Sequence, residues 1–321
     1  MAAEVQRLSS LLDGSPKNWG RWGEDDEVGA LNFLTSQEVI AAASCIRQGE
    51  VHTLQVPMAN PEGDPVFGDG RLVRHGAQRY VIRDKSSYDA GRIKETPGGM
   101  QSADDVMFCF LQGSTQYDAL GHVWYDGELW NGYPAETTIG GLARVSVLPI
   151  AERGVVGRGV LLDMARHRGK ERLDPGEPYS HEDLLACAAA QGVEIRKRDI
   201  ILVRTGYLSL FYTDRAKFAE DVRMPGLEYS RELVEWFHEM EIPSIGNDTF
   251  GNEVLTDPDR VDCPLHCALM RNLGVTFAEV LWLEGLAGGC LEHSQYDFMY
   301  VAAPLKVVAA AGSPVNPVAI L

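Results

Sequence analysis

Residues 262–283 read DCPLHCALMRNLGVTFAEVLWL, a helix-length piece followed by a strand-length one. Pro264 suits the first turn of a helix, where its missing N–H is not needed, and Gly274 suits a left-handed stop at the other end. Leu269 and Met270 fall three and four residues after His266, the spacing of one helical face. Beyond the glycine, VTFAEVLWL is apolar on both alternating faces of a strand, and Glu279 is its one ionisable residue. A carboxylate there must be paired, protonated or bound to a metal, because burying it alone costs on the order of several kcal/mol.

Working outward, further apolar runs of strand length occur at 106–111, 143–149, 158–163, 199–204, 242–246 and 298–309. Two earlier strands, 51–60 and 71–83, are joined by the loop PEGDPVFGDG. Helix-like stretches lie at 135–141, 179–191, 214–220, 228–240 and 264–273, and the polar segment 84–104 reads as a surface loop or flap. Strands outnumber helices and do not alternate strictly with them, which predicts an α/β fold of mixed sheets with peripheral helices rather than a doubly wound one. Neither a linker nor an internal repeat interrupts the chain, so residues 1–321 are expected to form one domain. Within it, 1–45 form a Trp- and Gly-rich arm and a helix capped by Thr35 or Ser36, with Glu38 in its first turn.

The 321 residues carry 29 Lys and Arg against 46 Asp and Glu, a net charge of −17. That excess, without a basic stripe, argues against nucleic acid or an anionic membrane as partner; Arg196-Lys197-Arg198 reads as a solvated turn. The six cysteines contain no CxxC pair and sit mostly in apolar stretches, as buried free thiols in a reducing compartment would. Cys263 and Cys267 bracket His266, but two sulfurs and one imidazole lack a fourth ligand for a soft-metal site. The first residues lack a signal-peptide core, and no run of about 18 apolar residues occurs, so a cytoplasmic location is expected.

The segment 106–122, VMFCFLQGSTQYDALGH, holds the second set of candidates. If its strand continues past Phe110, Gln112, Gln116 and Asp118 share one face, and the bends allowed by Gly113 and Gly121 return His122 to it. The aromatic stretch that follows, from Val123 through Trp124 to Pro134, suits the wall of a small-molecule pocket. Asp118, His266 and Glu279 form an oxygen and nitrogen set that suits one divalent ion, Zn²⁺ or Mn²⁺, with His122 as proton carrier.

With these motifs in view, the chain resembles the cyclase family of metal-dependent hydrolases, which includes kynurenine formamidase and isatin hydrolase. The resemblance extends from about residue 17 to the C-terminus and takes in GRWGEDDEVGALNFL, RGVLLD (158–163), DIILVRTGY (199–207), GNDTF (246–250) and AGSPVNPVAI (311–320). The formamidase motif HxGTHxDxxxH falls here on Gln112, Gln116, Asp118 and His122, with the later ligands on His266 and Glu279. In that family the two leading histidines help hold one ion, whereas the aspartate, later histidine and glutamate hold another. The resemblance, with Gln112 and Gln116 in the histidine places, therefore implies a single ion on Asp118, His266 and Glu279. The two glutamines would be substrate hydrogen-bonders or weak oxygen ligands.

The resemblance further implies a swivelling β/β/α fold, a homodimer or homotetramer, and a Trp19–Asn32 arm near an active site, its own or a neighbour's. Asp248 is expected beside the metal, and Tyr117 and Trp124 beside the substrate. The expected reaction is hydrolysis of an amide, cyclic amide or lactone by metal-bound water with His122 shuttling the proton. The alternatives are a metal-dependent lyase, dehydratase or ring-closing enzyme, and a metal-poor binding protein on the same fold.

Overall fold

The computed structural model describes residues 6–66, 74–257 and 263–321. The first residues of the expected strand 71–83, the end of the loop before it, and Asp262 lie outside the described residues. In chain order the strands are β1 (Val51–Thr53), β2 (Gln78–Arg83), β3 (Asp104–Phe108), β4 (Gln116–Asp118), β5 (Val155–Asp163), β6 (Pro178–Tyr179) and β7 (Ile200–Arg204). There follow β8 (Gly226–Leu227), β9 (Ser244–Asn247), β10 (Thr276–Glu279), β11 (Asp297–Ala302), β12 (Gly312–Pro314) and β13 (Val318–Ile320).

Among the described residues, nine strands form one sheet in the order β1-β13-β11-β5-β7-β9-β10-β4-β12. Its middle, β5, β7, β9 and β10, is parallel, and the flanks are antiparallel, which is the mixed α/β architecture expected. The middle strands are buried on both faces, as parallel strands covered on two sides must be. On one face Leu162, Ile201, Val203, Ile245 and Phe277 pack under the helices His181–Gln191, Arg231–Glu239 and His266–Leu273. On the other, Leu161, Ile200, Leu202, Tyr117, Ala278 and Tyr300 meet Leu54, Leu31 and Trp130. The sheet curls around this second core: Leu54 N–H bonds Pro317 O, Trp282 N–H bonds Leu54 O, and Val56 N–H reaches Thr115 Oγ1.

Several expectations are corrected by local chemistry. Residues 143–149 are not a strand: Ser146 caps a helix over Val147–Arg153 that Gly154 ends. The run 106–111 stops pairing at Phe108, and β4 is a separate strand in a different sheet. The loop 84–104 contains a helical turn, Lys85–Asp89, closed by a capping box between Asp84 and Ser87. The stretch 275–283 is a strand only to Glu279, because Val280 turns the chain at φ +56°. The stretch 298–309 pairs only to Ala302, and 135–141 forms a short 3₁₀ turn, Ala135–Thr138. The helix Glu284–His293 and strands β12 and β13 were not foreseen.

The N-terminal arm docks on this chain's own helix His266–Leu273. That helix ends at Gly274 in the left-handed conformation, φ +73°, leaving its last carbonyls without partners inside the helix. The arm supplies donors to four in succession: Trp19 Nε1 to Arg271 O at 2.8 Å, Asn18 N to Asn272 O at 2.9 Å, Asn18 Nδ2 to Leu273 O at 3.0 Å and Ala30 N to Gly274 O at 2.8 Å. Gly29 and Gly274 touch so closely that a Cβ on Gly29 would lie 2.5 Å from Gly274 O. The Arg271 guanidinium, itself buried, is sandwiched between the rings of Trp19 and Tyr125 at 4.5 and 3.9 Å. The arm therefore clamps the far end of the helix that begins with His266. Replacing Asn18 by Ala strands a buried carbonyl and should lower stability by about 1–2 kcal/mol, read as a lower urea midpoint at unchanged slope.

Candidate metal centre

Register places the acidic groups. In the pairing of β10 with β4, Glu279 stands directly opposite Gln116, and Asp118 lies two residues further along the same face. Tyr117 and Ala278, one step away, turn to the opposite face and join the core inside the curl. The helix His266–Leu273, wound as a π-helix, lies over the acidic face. Its first residue packs edge-on to Phe277 at 4.9 Å and brings His266 Nε2 to 3.5 Å from Glu279 Oε1.

Asp118, His266 and Glu279 thus each offer a ligand atom within 4.8 Å of the other two, and all three are buried. Among the described residues, Asp118 Oδ2, Glu279 Oε1 and Gln116 Oε1 are buried with no hydrogen bond, His266 Nε2 standing 3.5 Å from Glu279 Oε1. Among the described residues, no lysine or arginine pairs with either carboxylate. Two adjacent carboxylates with unpaired oxygens and an imidazole beside them fit a divalent cation, whose charge would balance the pair.

Burial raises Asp118 above the usual carboxylate range and Glu279 adds to the rise, while His122 and His266 pull the other way. For His266 burial works to lower the pKa, but the neighbouring carboxylates of Glu253 and Glu279 prevail and push it well above its ordinary value.

The two glutamines that stand in histidine positions present their nitrogens to the acids. Gln116 Nε2 lies 2.9 Å from Glu279 Oε2 and 3.4 Å from Asp118 Oδ1. Gln112 arrives from a turn closed by Gly113 N to Phe110 O, not along a strand. Its Nε2 lies 3.2 Å from Asp118 Oδ1, 3.2 Å from Ala311 O and 2.9 Å from His122 Nδ1. The two oxygen acceptors fix the amide's orientation, and its two hydrogens are shared among three partners, so His122 Nδ1 faces a donor nitrogen. The glutamines act as donors that hold the carboxylates, and His122, half-buried, is tied to the same network.

Two expected residues, Tyr117 and Asp248, lie elsewhere. Tyr117 OH is buried against Ser244 Oγ and Tyr300 OH, with its pKa pushed up to about 12 by burial, so it faces away from the acids. Asp248 accepts from Thr205 N, Thr205 Oγ1 and Gly206 N at 2.9, 2.6 and 2.7 Å, fastening the ends of β7 and β9 rather than touching the cluster. Trp124 is 44% exposed.

One residue was missed. Glu253 accepts the backbone N–H groups of Leu265 at 3.0 Å and His266 at 3.1 Å, and closely contacts His266 Nδ1. It caps the helix start and holds the ring so that Nε2 faces Glu279, as an outer carboxylate does for a metal-binding histidine. Glu253, Cys263 and His266 also place ligand atoms within 4.8 Å of one another, but the Glu253 oxygens are already taken by these N–H donors, and Cys267 belongs to neither set. In the sequence Glu253 was only one more acid in the turn-rich stretch GNDTFGNEV; its signal was that His266 opens a helix lacking a capping residue of its own.

These features define a cyclase-type α/β protein, and residues 52–254 match the Cyclase family. The chain belongs to that family. A crystal structure of a novel cyclase is 32% identical with a TM-score of 0.86, covering 95% of this chain and 100% of its own. Isatin hydrolase A from Ralstonia solanacearum shares the fold at 20% identity and a TM-score of 0.61, covering 89% of this chain and 97% of its own. A protein described as a predicted metal-dependent hydrolase from Bacillus stearothermophilus does so at 16% and 0.51, covering 84% and 97%. No functionally curated protein matches significantly.

Two outcomes follow for cation binding. Glu253→Gln should weaken it by about 10–100-fold, measured by calorimetric titration, while the far-UV spectrum stays native. Binding to the unaltered protein should strengthen from acid to neutral pH with release of protons. The ion must displace the proton that burial favours on Asp118 and the one that Glu253 and Glu279 favour on His266.

Proposed function

We propose that this protein is a metal-dependent hydrolase that opens an amide, cyclic amide or lactone bond in a small molecule, with one Zn²⁺ or Mn²⁺ held by Asp118, His266 and Glu279. The observation that carries the reading is the pair of buried oxygens with no hydrogen bond among the described residues, Asp118 Oδ2 and Glu279 Oε1, in a set that includes an imidazole nitrogen. A bound ion supplies a Lewis acid for a carbonyl and lowers the pKa of a water toward 7. The hydrolase names of the structural neighbours point the same way.

The side chains divide the remaining work. Gln116 spans the two carboxylates and keeps them apart, and Glu253 holds the ligand nitrogen of His266 toward them. His122 offers Nε2–H to a carbonyl oxygen or departing group, and its partial exposure allows proton exchange with solvent. Taking a second proton at Nδ1 requires the Gln112 amide to turn its oxygen toward the ring, so proton carriage depends on that one amide. With Gln112 and Gln116 engaged as donors, a single ion is expected rather than two.

A single ion beside a proton-carrying histidine also serves elimination or ring closure, and turnover in ¹⁸O-labelled water separates the reactions. Hydrolysis must place solvent oxygen in the product; product free of label would overturn it. His122→Ala should retain the ion and lose about 10²–10⁴-fold in turnover on a panel of amides and lactones, and near-normal rates would remove His122 from the mechanism.

A further inference from the structure

Arg271 is 1% exposed, and each of its three guanidinium-group nitrogens is engaged. Nε donates to Glu128 O at 2.9 Å, Nη1 to Asn272 Oδ1 at 2.8 Å and Nη2 to Glu128 Oε2 at 3.1 Å. Tyr125 lays its ring on the guanidinium at 3.9 Å and donates its hydroxyl to the same Asn272 Oδ1 at 3.2 Å. Arg271 therefore grips both ends of the tight loop Tyr125–Glu128, which closes through Glu128 N to Tyr125 O at 3.2 Å. That loop begins three residues after His122.

His266 and Arg271 sit on one helix, five residues or one π-helical turn apart. A single rigid turn thus carries the imidazole of the cluster at its start and the grip on the His122 loop at its end. His122 has little else to place it. Among the described residues its ring makes one hydrogen-bond contact, Nδ1 with Gln112 Nε2 at 2.9 Å, so its position follows the backbone that bears it.

Stability alone does not account for an arginine here. The Glu128 carboxylate is half exposed, so solvent screens its attraction for the guanidinium. An apolar side chain of similar length would fill the space without the desolvation cost. What it would lack is the planar fork of donors, which fixes orientation as well as distance.

We propose that Arg271 is a positioning residue: holding Tyr125 and Glu128 from the helix that starts at His266, it sets where the His122 ring stands relative to Asp118, His266 and Glu279. Its effect on turnover rests on the proton-carrying role of His122 proposed above; its effect on the ring's position does not.

Arg271→Met and Arg271→Lys test this, with Tyr125→Leu releasing the same loop from its other side. Because Glu253 still holds His266, Zn²⁺ affinity by calorimetric titration should stay within about threefold. A misplacement of about 1 Å should lower kcat on the amide and lactone panel by about 10–100-fold at nearly unchanged KM. Lysine keeps the charge without the fork, so it should fare no better than methionine; full activity with lysine overturns the proposal. In a His122→Ala background Arg271→Met should cost less than about twofold more, because the side chain it acts through is gone. A full further loss there means a general structural role and overturns it.

The readout that needs neither metal nor turnover is the Cε1–H NMR cross-peak of His122 in metal-free protein, assigned by its loss in His122→Ala. It should shift or split in Arg271→Met and in Tyr125→Leu, and an unmoved peak in both overturns the proposal. If His122→Ala keeps near-normal turnover, the proton carrier of the hydrolase reading falls, and the cross-peak alone decides whether Arg271 places the ring.

Discussion

Two carboxylates, Asp118 and Glu279, are buried on one face of adjacent antiparallel strands, and among the described residues no lysine or arginine pairs with either. Much of the surrounding structure can be understood as a response to that arrangement. Amide nitrogens from Gln112 and Gln116 approach both acids, but a neutral dipole relieves only part of the cost of two like charges in a low-dielectric interior. His266 completes the set, and the oxygens with no hydrogen bond among the described residues leave room for a cation. Gln112 and Gln116, which the family resemblance aligns with histidines, act here as hydrogen-bond donors, and the single ion proposed above rests on that exchange.

Holding a ligand in place requires that its helix not move, and the helix His266–Leu273 is fastened at both ends. Glu253 takes the N–H groups at its start, and the arm fills its last carbonyls through Asn18, Trp19 and Ala30. The buried Arg271, stacked between Trp19 and Tyr125, joins that clamp to the aromatic segment just after His122. Arm, helix and the His122 loop are thereby linked by direct contacts, so loosening the arm bears on His266 although the two are not adjacent. A π-helical ladder is a less common winding, and its presence under His266, the proposed ligand, accords with where such irregularities occur.

The buried strands were legible because their apolar runs have no alternative interpretation: 158–163 and 199–204 fall in β5 and β7, and the helix expected at 228–240 forms over Arg231–Glu239. Glu279 was legible for the same reason, a lone charge inside an apolar strand. Three-residue strands such as β4, β12 and β13 are too short to carry a periodic signal, and their pairing comes from the tertiary fold. The convergence of Gln112, Gln116, Asp118 and His122 was anticipated, but through a continuous strand that does not exist; a turn at Phe110–Gly113 achieves it instead. Tyr117 was misassigned because a one-residue step along a strand reverses the face. Glu253 escaped notice because its role depends on a helix start that is thirteen residues distant in sequence.

The central claim is that charge at Asp118, His266 and Glu279 is balanced by one ion and no more. Elemental analysis of protein purified without added metal, repeated after saturation with Zn²⁺ or Mn²⁺ and removal of the excess, measures this directly. The account predicts one equivalent per chain that disappears in Glu279→Gln. Two equivalents, none, or an equivalent that persists in that variant would contradict it.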